Sequence, residues 1–301
     1  MEEFFQQLTN GLAVGGIYAL IALGYTMVYG VLKLINFAHG DLFSTGAYLG
    51  LTILISFGLT DRLGPVAGVL LLALMVMGLL AIVGTMLERI AYRPLRESPR
   101  LSAVVSALGA SIFLQNTLMF VYGARFQVYP HDILPDTALD LFGIDIPIVR
   151  MLILLASLVL MAALYLFIQK TRTGTAIRAV AIDQRAARLM GIDVNRVILI
   201  VFLVGPALGG VAGLMVGLLY GQINFTMGWI YGLKAFTAAI LGGIGNIPGA
   251  MVGGVLLGVI EALGAAYISI AWKDAIAFFV LILILIVRPT GLLGERVAEK
   301  I

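Results

Sequence analysis

The 301-residue sequence predicts an all-α protein that crosses a membrane many times. Three observations lead there. Hydrophobic residues make up 61% of the chain and charged residues 12%, about half the charge of a soluble domain. That is more apolar side chain than a soluble core can enclose. Apolar runs repeatedly reach the ~18–20 residues that cross ~30 Å of hydrocarbon. Where Lys and Arg occur, they gather in particular loops, as membrane topology demands.

The first ten residues, MEEFFQQLTN, are acidic and carry no basic leader region, and no small-residue cleavage site follows. The first apolar run is therefore expected to stay as a span rather than leave as a signal peptide. Span candidates lie at 10–31, 42–59, 66–87, 102–122, 149–169, 197–220, 231–247, 250–270 and 274–290. The second and seventh are short or interrupted by Gly and polar residues, so whether they cross fully is left open. The loop 88–100 has four Arg against two Glu, and 170–196 has six basic residues against two Asp, whereas 123–150 has four Asp against two Arg. The positive-inside rule puts the first two in the cytoplasm and the third outside. With about nine crossings, the N-terminus is expected outside and the C-terminal GERVAEKI in the cytoplasm.

Several function classes fall away. Without cysteine, disulfide and thiol chemistry are excluded. The formal charge of +3 reads as loop topology and not as affinity for nucleic acid. There is no P-loop, no HExxH and no G-x-S-x-G, and the only histidines are His39 and His131. No catalytic residue, metal site or cofactor of this chain's own is expected, and any nucleotide that drives transport must bind another chain.

One polar element stands out. After the first apolar run, LKLINFAHGD places Lys33, Asn36, His39 and Asp41 within nine residues, and its core INFAHG (35–40) returns as INFTMG (223–228) after the sixth run. Five crossings separate the copies, so they face opposite sides of the membrane. An inverted repeat is expected, with halves at roughly 10–169 and 197–290 around a loop at 170–196, in a single membrane domain spanning 1–301. In transporters, broken segments at matching positions of two halves flank the substrate path. Asn36 and Asn224 are shared, and their amides can satisfy backbone freed where a helix breaks. His39 and Asp41 are expected to serve the cytoplasmic side as part of a gate or cap. Glycines every four residues, at 209–213–217–221, 11–15, 249–253 and 254–258, predict close helix packing.

Two further groups merit attention. Glu261 falls within the eighth run, where an ionised carboxylate costs about 2.5–3.5 kcal/mol on insertion scales, and Lys234 in the seventh is a possible partner. A structural ion pair is the plainer reading, a pathway role the sharper one. Gln115 and Asn116 in the fourth run can hydrogen-bond across helices. The polar stretch RTGTAIRAVAIDQRAARLMGIDVNRV (172–197) has helical apolar spacing, with Ile177, Val180 and Ala181 on one face, and Gly191 placed as a C-cap. It reads either as a membrane-surface helix or as a docking helix for a soluble partner.

DQRAARLMGID resembles the coupling motif of bacterial ABC-importer permeases, matching at Ala186, Ala187 and Gly191, with Arg185 where many such motifs have Glu. YALIALGYTMVYG, INFAHGD, ERIAYRPLR, SALGASIFLQN, KAFTAAILGGIGNIPGAMVGG and RPTGLLG, spread over almost the whole chain, resemble the branched-chain amino acid ABC permease family. The resemblance implies an ABC-importer permease fold in a bacterial inner membrane. It implies a second, homologous permease of the LivM type as partner, two cytoplasmic ATPase subunits that hold ATP and Mg, and an extracytoplasmic binding protein delivering Leu, Ile or Val. ATPase contact is expected at Arg178, Asp183, Arg185, Ala186, Ala187 and Gly191. The pathway or gate is expected to involve Asn36, His39, Asp41, Asn224, Lys234 and Glu261. Related permeases for urea, amides or other amino acids share much of this pattern. An ion-coupled carrier using His39, Asp41 and Glu261 as a relay is the alternative from another class, although it would not need the 172–196 loop.

Overall fold

Every apolar run falls on a helix in the computed structural model, which describes residues 2–96, 98–130, 133–134, 138–141 and 144–294. The helices are α1 (Glu2–Leu32), α2 (His39–Phe57), α3 (Leu59–Leu63), α4 (Pro65–Leu87), α5 (Arg100–Tyr122), α6 (Ile148–Lys170), α7 (Arg172–Ile182), α8 (Gln184–Leu189), α9 (Val194–Tyr220), α10 (Met227–Gly242), α11 (Ile247–Tyr267) and α12 (Lys273–Val287). Local chemistry sets many of the starts. Pro65 opens α4, and the side chains of Thr171, Asp183, Asp193 and Asn246 accept backbone N–H bonds at the starts of α7, α8, α9 and α11.

Eight of the described helical segments are long and apolar enough to cross a membrane, the last being α12 together with the 3₁₀ turn Ile270–Trp272 that precedes it. The seventh of the nine expected spans falls on α10, which has 16 residues and is about 24 Å long, short of the ~30 Å hydrocarbon layer. By contrast α2, the other span left open, is continuous over 19 residues. The 88–100 loop is not wholly a loop. A π-helical turn (Glu88–Tyr92) and a 3₁₀ turn (Arg93–Leu95) prolong α4, and Glu88 and Tyr92 are buried. The C-terminal Arg296 and Lys300, used for orientation, and His131 lie outside the described residues.

The bundle is interlocked. α1 packs along α11 and α9 along α4, so the first helix of each set lies on the third of the other; α2 lies on α9, α10 on α1, and α2 on α10. Small residues make these approaches possible. A Cβ added to Gly11 would lie 2.8 Å from the Val259 backbone, and one on Gly15 would lie as close to Val255. Gly46 and Gly213 meet Gly210 and the Phe43 carbonyl where α2 crosses α9, and Gly242 and Gly253 meet Gly249 and Ala238 between α10 and α11. Helices in lipid gain little from hydrophobic sorting, so this close dispersion contact carries much of their association.

The two INF segments have the same backbone, step for step. Lys33 ends α1 in the left-handed region (φ 55°) and Gly221 ends α9 there (φ 67°). The Asn36 Oδ1 accepts from Ala38 N and the Asn224 Oδ1 from Thr226 N, both at 3.1 Å. The amides of His39 and Met227 then donate to the carbonyls of Asn36 and Asn224, at 3.1 and 3.3 Å, as α2 and α10 begin. The first break carries the chain back into the bundle, so that His39 lies against Gly24 of α1 and Gly209 of α9. Gly40 and Gly228 face one another so closely that a Cβ on either would strike the other's carbonyl.

Two small ladders decorate the 123–147 connection. β1 (Gln127–Val128) pairs antiparallel with β4 (Gln222–Ile223), and β2 (Ala138–Leu141) pairs with β3 (Ile144–Pro147). Tyr129 follows β1 into the core, where its amide donates to the Gly221 carbonyl at 2.9 Å and its hydroxyl to the Ala47 carbonyl.

Gly213→Ala is expected to lower thermal stability in detergent by about 1–3 kcal/mol, the usual cost of overpacking. Gly78→Ala, where an added Cβ meets nothing within 4 Å, is expected to cost nothing. Equal losses at the two positions would refute the assignment of Gly213 to a close helix crossing.

Candidate transport and coupling site

The first break is tied to its surroundings by more than its own turn. The Tyr92 hydroxyl, presented by the π-helical turn, donates to the Asn36 Oδ1 at 2.7 Å. His39 is fully buried, edge-on to Tyr25 with ring centroids 4.8 Å apart. Asp41 lies in the first turn of α2 and receives a hydrogen bond from the Ser111 hydroxyl of α5 on Oδ2. The second break keeps the Asn turn but has Met227 where the first has His39, so the polar chemistry is confined to one copy. Asn224 is half-buried and also accepts from the Thr226 hydroxyl at 3.0 Å.

Lys234 and Glu261 lie apart from the first break and meet each other. The Lys234 ammonium is 2.8 Å from Glu261 Oε1 and 2.7 Å from Asp274 Oδ1. Tyr18 donates to Glu261 Oε2 at 2.8 Å, and Lys273 approaches Oε1 at 3.4 Å. Lys234 and Glu261 are buried, while Asp274 and Lys273 sit at the exposed start of α12. Four helices, α1, α10, α11 and α12, are thereby clamped through a cluster of two cations and two carboxylates. The pairing of Lys234 with Glu261 that the sequence left open is made, and both Glu261 oxygens are engaged. Among the described residues Asn116 makes no bond across helices: it is exposed and donates to the Ile112 carbonyl of its own helix at 2.8 Å.

The 172–191 segment is two helices at an angle. Asp183 ends α7 and caps α8, accepting from Arg185 N at 2.7 Å and Ala186 N at 3.0 Å. Gly191 (φ 81°) closes α8 in a Schellman arrangement, with Gly191 N on the Arg188 carbonyl and Ile192 N on that of Ala187, both at 3.0 Å. No atom would meet a Cβ at Gly191, so the position is specified by backbone conformation alone. Arg178 on α7 donates to the side chains of Gln169 and Thr175. Ala187 is buried, whereas Arg185 and Ala186 are exposed beside an apolar tip of Ile182, Leu189 and Met190. Gln184 Nε2 donates to the Val31 carbonyl at 2.7 Å, which joins α8 to the end of α1 two residues before the break. Arg96, near α8, bridges Glu88 and Asn195, and burial pulls its pKa down while Glu88 opposes the shift. Tyr18, Tyr92, Ser111, Gln184, Lys273 and Asp274 went unnoticed in the sequence, because single polar residues on apolar helices or in loops carry no spacing signal. Among the described residues no cluster of His, Asp and Glu could hold a metal ion.

A family model described as the branched-chain amino acid transport system permease component matches residues 7–285. The chain belongs to this permease family. Among curated members, the "High-affinity branched-chain amino acid transport system permease protein LivH" of Escherichia coli K12 is 44% identical over 304 residues, covering 99% of this chain and 98% of the relative. The corresponding BraD protein of Pseudomonas aeruginosa is also 44% identical, over 308 residues with the same coverage. A more distant relative, the "Probable branched-chain amino acid transport permease protein LivH" of Methanocaldococcus jannaschii, is 29% identical over 213 residues, which is 68% of this chain and 64% of its own. As a member of a transport permease family with many apolar helices, the chain is a multi-pass membrane protein.

Glu261→Leu alone strands the buried Lys234 and is expected to cost about 3–5 kcal/mol, read as folded yield after detergent extraction. Glu261→Leu combined with Lys234→Met is expected to recover most of that yield. A double variant as poor as the single one would refute a purely structural pair.

Proposed function

We propose that this permease is one transmembrane subunit of an ATP-driven, binding-protein-dependent importer of Leu, Ile and Val in a bacterial inner membrane. The observation that carries the reading is the 44% identity, along 99% of the chain, to proteins named as high-affinity branched-chain amino acid transport permeases. In this reading a homologous permease completes the membrane part, two cytoplasmic ATPase subunits bind ATP and Mg, and an external binding protein supplies the amino acid. The basic loops lie in the cytoplasm, the N-terminus outside and the C-terminus inside.

The chain's own part is mechanical. The ATPases hold α7 and α8, through Arg178, Asp183, Arg185, Ala186 and Gly191, with the apolar tip of Leu189 and Met190 buried on docking; Ala187, also expected at this contact, is instead turned inward and buried against the bundle. Closure of the ATPases moves α8, and the Gln184 bond to the Val31 carbonyl passes that movement to the end of α1. The Lys33–Ala38 break, with Asn36, His39 and Asp41, and its counterpart at Asn224 let α2 and α10 change direction. Alternating access is then a switch between two packings of these helices against the partner permease. The Lys234–Glu261 cluster keeps α1, α10, α11 and α12 together while that happens.

Reconstitution with the partner permease, ATPases and binding protein is expected to give labelled leucine uptake that requires both ATP and the binding protein. Uptake by this chain alone, driven by a proton or sodium gradient, would overturn the importer reading in favour of an ion-coupled carrier. In the complete system Gly191→Pro is expected to abolish ATP-dependent uptake while membrane insertion is intact, because proline is held near φ −65°. Uptake at the wild-type rate would remove α8 from the coupling path.

A further inference from the structure

Asp41 is the buried carboxylate that the fold leaves incomplete. It is 4% exposed, and the Ser111 hydroxyl satisfies Oδ2, yet Oδ1 has no partner among the described residues. Glu261, in comparison, has both oxygens engaged. A buried acceptor without a donor is costly, most of all when it belongs to an ionisable group within a membrane protein, and such groups mark pathways more often than scaffolding. Asp41 lines a recess beside the first break, where the starts of α2 and α10 meet. Tyr25 of α1, Phe37 of the first break, and Trp229 and Phe236 of α10 form much of the rest of its wall, and no Lys or Arg takes part. Trp229 is 55% exposed and forms the rim.

We infer that this recess is the amino acid's station in the permease: Asp41 Oδ1 receives the α-ammonium, and the aromatic wall takes the branched side chain. The inference rests on the proposed reading as an amino-acid permease and supplies the contact that reading lacks. An ammonium brings three N–H donors to an acceptor that needs one. Aromatic faces around it add to the attraction for a cation and also bury an apolar side chain. In this conformation the recess has room for about one water. Entry of the whole amino acid therefore requires α2 and α10 to part where Gly40 meets Gly228, a contact made largely by backbone. The site and the hinge are the same place.

The test uses the permease–ATPase assembly without binding protein, and three probes at millimolar concentration. Leucine carries both charged groups, leucinol keeps only the ammonium, and 2-hydroxy-4-methylpentanoate keeps only the carboxylate. Leucine and leucinol are expected to raise the melting temperature of the wild-type assembly, and the hydroxy acid is not. Asp41→Asn is expected to lose that response and, in the complete reconstituted transporter, to lower leucine uptake about tenfold or more, as loss of a charge-assisted hydrogen bond would. Stabilisation by the hydroxy acid equal to that by leucinol, no response to leucine or leucinol, or wild-type uptake by Asp41→Asn would each overturn the assignment. Should Asp41→Asn fail to reach the membrane, the three probes on the wild-type assembly decide alone. Absence of leucine uptake by the wild-type transporter would instead defeat the proposed function itself, whatever the variant does.

Discussion

Backbone amides and carbonyls find no hydrogen-bond partner in lipid, and every irregular turn of a membrane bundle must satisfy them from within the protein. This chain unwinds twice, at 33–38 in a largely buried turn and at 221–226 in a half-exposed one, and both times an asparagine supplies the missing acceptor to the amide two residues on. Much else follows from bringing together the helix starts that these turns launch. The helices that surround them, α1, α2, α9 and α10, must come within backbone distance of one another. Glycines at 24, 40, 209 and 228 stand where any Cβ would collide or press against a neighbour. The π-helical turn at Glu88–Tyr92 brings a hydroxyl to Asn36, so even the end of α4 is shaped around the first break.

Charge within the bundle divides by the same rule of satisfaction. Lys234, Glu261, Asp274 and Lys273 neutralise one another, with Tyr18 bonding to the remaining Glu261 oxygen. A closed network of this kind resists change, since removing any member leaves another charge unpaired. Asp41 is built in the opposite way, with one oxygen held by Ser111 and the other without a partner among the described residues, in a side chain that lines a narrow aromatic recess. Buried carboxylates in one bundle thus differ in how far the fold satisfies them.

Much of this was legible in the sequence, and the remainder was hidden for identifiable reasons. Apolar runs located the long helices because a membrane span needs sustained hydrophobicity, which no other local signal imitates. Glycine spacing announced the α1–α11 and α9 seams, and the Asn-Phe-Gly core of the two breaks could be read because their matching turns demand the same residues. The helices at 172–182 and 184–189 were visible through the apolar spacing of Ile177, Val180 and Ala181 and through Gly191, whose roles are local. Contacts that join residues far apart in the chain left no such trace: Gln184 with Val31, Tyr92 with Asn36, Tyr18 with Glu261. The two-residue ladder between β1 and β4 is too short to show a period. The expected bounds of the seventh span, 231–247, sit past those of α10 because the apolar run continues beyond Gly242 into the turn and on towards α11, and composition alone does not mark where hydrogen bonding stops.

The matched breaks differ at one position of mechanical weight. Gly221 takes up its left-handed conformation without strain, whereas Lys33 is held in the same conformation at a cost of about 1–2 kcal/mol. That strain lies two residues from Val31, whose carbonyl accepts from Gln184 of α8. One turn is therefore strained and the other relaxed. Two turns with matching hydrogen bonds do not hold the same conformational energy, and the imbalance comes down to the difference between a lysine and a glycine.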